Sequence, residues 1–298
     1  MNFLKSKLNG LPLMFAVAVS FNPKLIKKVD QCAEVKDTSA KTVYVVKQWH
    51  LASSVNTHTG PKVILPQAEN QKQIYQQLNE WESHHDDTAI LAEGCEGEVN
   101  AQLKEAFQGW SFNDLETEYK VHPADFSGVL AHPVIMTKIS HPEAKVFCGD
   151  NLAEIKKSQL ALSDARADVG YVTRLSKKKD HLELLKPYLA DVIDLYHLKK
   201  DATIADAQKA LDSDLKASLV IFQSSTHLRN QSFVNKALKL SQEKSSIQKP
   251  VVIVIGGLHA SDLKADLEAK HFNCTIFEPL AYQNDEETLN TRLKELTL

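Results

Sequence analysis

A run of five consecutive β-branched residues at 251–255 constrains the fold of this 298-residue chain more than any other feature. An unbroken apolar run of this length is typical of a strand buried on both faces, as strands inside a parallel sheet are. We therefore predict a strand at 250–255. Shorter runs of the same kind predict four more strands, at residues 42–46, 88–92, 145–148 and 274–277.

Helical patterns separate these strands. Ile74, Leu78 and Trp81 recur at helical spacing and predict a helix over 67–85. Residues 151–217 are almost entirely helical in composition, a stretch too long for one crossover helix. The alternation predicts an α/β fold with a mostly parallel or mixed central sheet flanked by helices. It also predicts a long helical insertion, about 151–225, before the penultimate strand. Shorter helices are predicted within 100–120, 127–140, 229–241 and 261–270.

The first twenty residues have the pattern of a signal peptide. Lys5 and Lys7 precede an uncharged stretch at 11–21, which is too short to span a bilayer. This pattern predicts export to the periplasm or to the outside of the cell. The alternative is a cytoplasmic protein with an apolar N-terminal helix. Residues 21–40 are predicted to be a linker and 41–298 a single α/β domain, with no later segment suited to a membrane span.

The cysteines and the charge limit the other possibilities. None of the four cysteines forms a CxxC pair, which disfavours a zinc ribbon. They leave open two disulfides or buried free thiols. The 35 basic and 38 acidic residues give a net charge of −3, so no basic excess indicates a nucleic-acid partner. The HExxH, GxSxG, P-loop and GxGxxG motifs are also absent.

Polar residues follow the predicted strands at equivalent positions. Ligands of open α/β sheets bind beyond the carboxyl ends of the strands, so we expect His50, Glu93, Asp150 and His259 to converge there. Two imidazoles and a carboxylate suit manganese, cobalt, zinc or iron, and a bound metal makes hydroxide available near neutral pH. Glu93 could instead be a general base, and Asp150 could instead cap the following helix.

The C-terminal part of the chain resembles a known superfamily. Arg229-Asn230, a following helix and Gly256-Gly257-Leu258-His259 after the strongest strand resemble the end of TraB/PrgY/TIKI proteins. Two GxxH motifs, an acidic residue after the second strand and an Arg-Asn pair mark that superfamily, which includes ChaN-like and erythromycin-esterase-like families. At the first motif, Lys47 stands in the place of glycine. A cation there would oppose metal binding unless it points away.

The resemblance implies an exported metal-dependent hydrolase acting on a peptide or on an ester or amide bond. It implies His50, His259 and Glu93 as ligands of a divalent metal, with Glu93, Asp150 and Arg229 in catalysis. Arg229 would anchor a carboxylate or stabilise an oxyanion, or else form an ion pair that holds its helix to the sheet. The alternatives are a haem or iron carrier and a peptide-binding protein, both without catalysis. The sequence specifies no oligomeric state.

Overall fold

One mixed sheet lies at the centre of the protein in the computed structural model, which describes residues 21–34, 41–49, 61–84, 88–99, 133–177, 182–242 and 250–283. Its strands across the sheet are β1-β7-β2-β6-β3-β5-β4. The five inner strands run parallel, and each edge strand is antiparallel to its neighbour. In chain order the strands are β1 (Ile26–Gln31), β2 (Thr42–Gln48), β3 (Ala89–Ala92), β4 (Glu96–Glu98), β5 (Lys145–Gly149), β6 (Val251–Gly256) and β7 (Asn273–Pro279).

Helices cover both faces of the sheet, which confirms the predicted α/β class. They are α1 (Pro61–Ser83), α2 (Pro133–Ser140), α3 (Leu152–Lys177), α4 (Leu182–Leu195), α5 (Ile204–Gln242) and α6 (Ala260–Ala269). Ile74 and Val134 of α1 and α2 pack on one face of the sheet, and Phe233 and Leu263 of α5 and α6 pack on the other. No helix among the described residues is long and apolar enough to cross a membrane.

The strand with the strongest sequence pattern lies in the middle of the sheet. Every residue of β6 is buried, because β2 and β3 flank it and helices cover both of its faces. This position explains why its sequence has no polar alternation. The five predicted strands are all present, as β2, β3, β5, β6 and β7. The predicted segments 1–20 and 100–120 lie outside the described residues.

The edge strands β1 and β4 were not predicted. Only Ile26 of β1 is buried, and β4 is the three-residue segment Glu-Gly-Glu, so neither carries the apolar signal of an inner strand. The assignment of 21–40 to a linker is therefore wrong for its first part. Phe21 stacks on Phe277 with 3.5 Å between ring centroids, and β1 pairs with β7. Pairing with β7 and the contacts of Phe21 and Ile26, rather than an apolar pattern along the strand, hold this segment in the fold.

Two disulfides fasten these edges to the sheet. Cys32, which follows β1, is bonded to Cys274 of β7, and Cys95, which precedes β4, is bonded to Cys148 of β5. All four cysteines are thus paired, and the alternative of buried free thiols is wrong. Each bond joins an antiparallel edge strand to an inner strand, which compensates for the poor hydrophobic content of the edges.

The helical insertion continues into the helix that returns to the sheet. The predicted boundary near residue 225 is wrong, because α5 runs unbroken for 39 residues, about 58 Å. Its first half packs against α3 through Ala165, Leu215 and Leu219. Within the insertion, Tyr196 after α4 contacts both of these helices: its hydroxyl lies 2.7 Å from Asp168 Oδ1 of α3 and 3.0 Å from an oxygen of Asp214 of α5. Burial raises the pKa of Asp168 there.

Candidate functional site

The carboxyl ends of three neighbouring strands bring the predicted acidic residues and one predicted histidine together. Glu93 follows β3, Asp150 follows β5, and His259 ends the single 3₁₀ turn after β6. Because β6, β3 and β5 are adjacent and parallel, these residues meet at one edge. All three are buried, with 9%, 1% and 5% of their surface exposed. Their convergence is the arrangement expected from the strand-end positions.

Arg229 of α5 lies between the two carboxylates. Its Nε and Nη2 donate to Asp150 Oδ1 and Oδ2 at 2.9 and 2.8 Å, a two-point contact that matches the planar guanidinium. The same Nη2 donates to Glu93 Oε1 at 2.6 Å. Arg229 Nη1 lies 3.5 Å from Ser158 Oγ of α3. Arg229 therefore ties the long helix to the ends of β3 and β5, the ion-pair role among the two predicted for it.

Glu93, Asp150 and Arg229 form a charged cluster with a net charge of −1 when counted over these three described residues alone. Their side chains are at most one-tenth exposed. Burial by itself lowers the pKa of Arg229, but the hydrogen bonds and charges of Asp150 and Glu93 outweigh it and raise that pKa above its usual value. Arg229 therefore stays charged, and the remaining negative charge attracts a proton or a cation to the cluster.

Backbone groups hold both carboxylates in place. The Gly94 and Asn151 N–H groups donate to Asp150 at 3.1 and 2.8 Å, and the Gly256 N–H donates to Glu93 Oε2. The cap of α3 is a neighbouring residue, since Asn151 Oδ1 accepts from two N–H groups of the first turn. Asp150 is thus an anchor for Arg229 rather than the helix cap that the sequence offered as an alternative.

His259 is oriented by Asn230, a residue of α5. An amide oxygen only accepts, so the 2.8 Å contact between Asn230 Oδ1 and His259 Nδ1 places the ring proton on Nδ1. In the neutral ring Nε2 is then the basic nitrogen, and it lies 3.5 Å from Glu93 Oε1. The site thus contains a histidine of fixed tautomer whose basic nitrogen faces a carboxylate, an arrangement suited to proton transfer or to metal binding.

A divalent metal fits this pair of donors. Two ligands of a tetrahedral ion with bonds of about 2.0–2.1 Å are about 3.4 Å apart, close to the distance between His259 Nε2 and Glu93 Oε1. The net negative charge also favours a cation. Asp150 is not a third ligand, because each of its oxygens already accepts two hydrogen bonds, one from Arg229 and one from a backbone N–H group. Among the described residues no group of three His, Cys, Asp or Glu could hold a metal, and the predicted ligand His50 lies outside them.

Lys47, which replaces the glycine of the first motif, makes its ion pair away from the cluster. Its ammonium lies 2.8 Å from Glu278 on β7 and 5.6 Å from the centre of the Tyr282 ring. The strand β7 borders β2 on the side opposite β6. The Lys47 ammonium is therefore neutralised by Glu278 at a position separate from Glu93. In this position it does not oppose binding of a metal at Glu93.

Buried amides support the end of β2, just before His50. Gln71 Nε2 donates to the Trp49 carbonyl at 2.7 Å, and the Trp49 N–H donates to Asn70 Oδ1 at 2.9 Å. Gln48 Nε2 donates to Gln71 Oε1 at 2.9 Å. Their mutual contacts were not predicted from the sequence. Their signal was weak, because each polar side chain is ordinary in a helix or at a strand end until its burial is known.

Asn230 also received no individual role from the sequence, although it belongs to the Arg-Asn pair of the resemblance. It precedes Phe233 and Val234 by three and four residues, so all three lie on one buried face of α5. The sequence signal for Asn230 was a polar residue on an otherwise apolar helix face.

Comparison with protein-family models, with curated proteins and with solved structures finds no match for this chain.

Proposed function

We propose that the protein is an exported metal-dependent hydrolase that cleaves a peptide, ester or amide bond at the carboxyl edge of its sheet. One observation carries this proposal: the basic nitrogen of His259 faces the Glu93 carboxylate at 3.5 Å, and Asn230 fixes the proton on the other nitrogen. A neutral imidazole held in this way presents its Nε2 lone pair, beside a carboxylate oxygen, as a ligand for a divalent metal.

The neighbouring residues have positioning roles in this proposal. Arg229 and the Gly256 N–H hold the two oxygens of Glu93, so that its carboxylate keeps one orientation toward His259. Asp150 holds Arg229. His259, Glu93 and His50 would hold a manganese, cobalt or zinc ion, which when bound lowers the pKa of its water and supplies hydroxide. The substrate is a peptide or a small molecule with a hydrolysable acyl bond.

Two further observations support the proposal. The residues that resemble the TraB/PrgY/TIKI superfamily, among them Arg229, Asn230 and His259, lie in contact in one cluster rather than scattered over the surface. Two disulfides are typical of exported proteins and rare in the cytoplasm, in agreement with the predicted signal peptide.

A binding function without turnover is the second candidate. It is favoured by the contacts of Arg229, whose guanidinium is engaged by Glu93 and Asp150 rather than placed to stabilise an oxyanion in a reaction. Such a protein would bind a peptide, or haem in the manner of ChaN-like proteins, and would release it unchanged.

The test combines elemental analysis, optical absorption and a peptide-library cleavage assay on the mature protein. His259→Ala and Glu93→Gln are compared with His227→Ala, which removes a half-exposed histidine of α5. We expect near-stoichiometric metal and cleavage in the wild type and in His227→Ala, and loss of both in the other variants. Full activity of His259→Ala would refute the site. A haem band, or peptide binding without cleavage, would favour the second candidate.

A further inference from the structure

Two polar atoms on α5 are buried without a hydrogen-bond partner in the part of the chain that the structure describes. They are Oγ1 of Thr226 and Nδ2 of Asn230. The residues are 6% and 0% exposed, and they are four positions apart, so they share one face of the helix. The amide Nδ2 only donates, and the hydroxyl Oγ1 can donate or accept.

Asn230 places this face of α5 next to the candidate site. Asn230 Oδ1 accepts from His259 Nδ1, so its Nδ2, on the same amide group, is adjacent to the histidine ring. The helix α5 descends from the edge of the sheet, because Ser232 donates to the Gly149 carbonyl and Lys236 to the preceding one, that of Cys148. Thr226 precedes Asn230 by one turn and therefore lies further out, beyond the ends of the strands.

Burial of an unpaired donor costs free energy, and a single substitution would remove this cost. A valine has the shape of threonine without the hydroxyl, and it would fill the Thr226 position at no such cost. Natural proteins keep buried unpaired polar groups mainly where a ligand or an ordered water completes them. An amide N–H only donates and a hydroxyl can donate, so one oxygen acceptor can complete both groups.

We propose that Thr226 and Asn230 bind the carbonyl oxygen of the substrate acyl group next to His259. This inference rests on the proposed hydrolase function and adds to it a substrate class and two binding residues. An uncharged peptide, amide or ester carbonyl fits the pair better than a carboxylate does, because Thr226 and Asn230 are uncharged and two buried carboxylates, Glu93 and Asp150, lie nearby. The donors select the position of the acyl oxygen relative to the basic nitrogen.

The experiment compares Thr226→Val with Thr226→Ser and with the matched control Thr88→Val. Thr88 is 1% exposed and its hydroxyl also lacks a partner among the described residues. It directly precedes β3 and therefore lies at the amino-terminal end of the parallel strands, away from the candidate site. Cleavage of internally quenched mixed peptides gives kcat/KM, and thermal unfolding gives Tm. A second readout is the NMR signal of the Asn230 side-chain amide during titration with N-acetylalanine amide.

We expect Thr226→Val to lower kcat/KM about tenfold, the value of one net hydrogen bond, while Tm stays equal or rises. Thr226→Ser and Thr88→Val should keep wild-type cleavage. A saturable shift of the Asn230 amide should occur in the wild type and weaken in Thr226→Val. Wild-type cleavage by Thr226→Val would overturn the inference.

The two proposals fail in different ways. If the wild type cleaves neither peptides nor acyl esters, the hydrolase proposal fails, and the Asn230 signal alone decides the binding pair. A saturable shift with N-acetylalanine amide then supports a carbonyl-binding site. An unchanged signal overturns the inference, since the two donors would then hold only a structural water.

Discussion

Replacement of Gly149 by alanine tests whether the end of β5 and the helix α5 are packed as closely as the structure shows. A Cβ at this position would lie 2.1 Å from Cε1 and 2.3 Å from Cδ1 of Phe233. Ordinary contacts between carbon atoms are about 3.5–4.0 Å, so the ring or the strand must move by more than an ångström. Phe233 is fully buried and cannot turn toward solvent.

The expected cost is about 3 kcal/mol of the free energy of unfolding, the upper end for overpacked cores. Two features of the structure put the expected cost at the upper end of this range. Ser232, the neighbour of Phe233, donates to the Gly149 carbonyl at 2.8 Å, so helix and strand are fixed to each other where the clash occurs. Asp150 follows Gly149 directly, so a shift of this strand end also disturbs the contact that holds Arg229.

Denaturant unfolding followed by circular dichroism measures this cost. Gly170→Ala is the matched control, since a Cβ at Gly170 in α3 meets no atom within 4 Å. That control should gain up to about 1 kcal/mol, because alanine is the better helix former. Phe233→Leu, which removes ring atoms from the clash, should restore about 1–2 kcal/mol in the Gly149→Ala background. Wild-type stability of Gly149→Ala, or additive effects of the two substitutions, would refute the reasoning.

Three further perturbations test the fold and the cluster. Arg229→Met should cost about 3–5 kcal/mol in denaturant unfolding, because it removes the guanidinium that both buried carboxylates contact. Arg229→Lys should cost less because it keeps the charge, and equal stability of the Met variant and the wild type would contradict this. Replacing both Cys32 and Cys274 by alanine should cost about 5 kcal/mol in the same assay, since their bond closes a loop with a sequence separation of 242 residues; an unchanged unfolding midpoint would show that it does not restrain the unfolded chain. Burial raises the pKa of Asp168, so its contribution to stability is present at acid pH and lost as pH rises through the folded-state value. Asp168→Asn should therefore raise Tm at about pH 8 and change it little at about pH 4, and an equal change at both would count against the assignment.

Part of the candidate site could be predicted because strand ends are local features. Glu93, Asp150 and His259 each follow a run of apolar residues, and parallel strands place such ends at one edge whatever their order. The contacts within the site could not be predicted in the same way. Asn230 meets His259 across 29 residues, and Arg229 meets Glu93 across 136, so both depend on how α5 lies over the sheet.

The sequence by itself determined the inner sheet and the helices around it. A strand covered on both faces must be apolar throughout, and residues 251–255 meet this requirement with five consecutive β-branched side chains. Only the tertiary structure decided the order of the strands, the antiparallel edges, the pairing of the cysteines and the partners of Arg229. Edge strands are held by hydrogen bonds and disulfides to distant residues, and ion pairs form between groups far apart in the chain, so no local pattern specifies them.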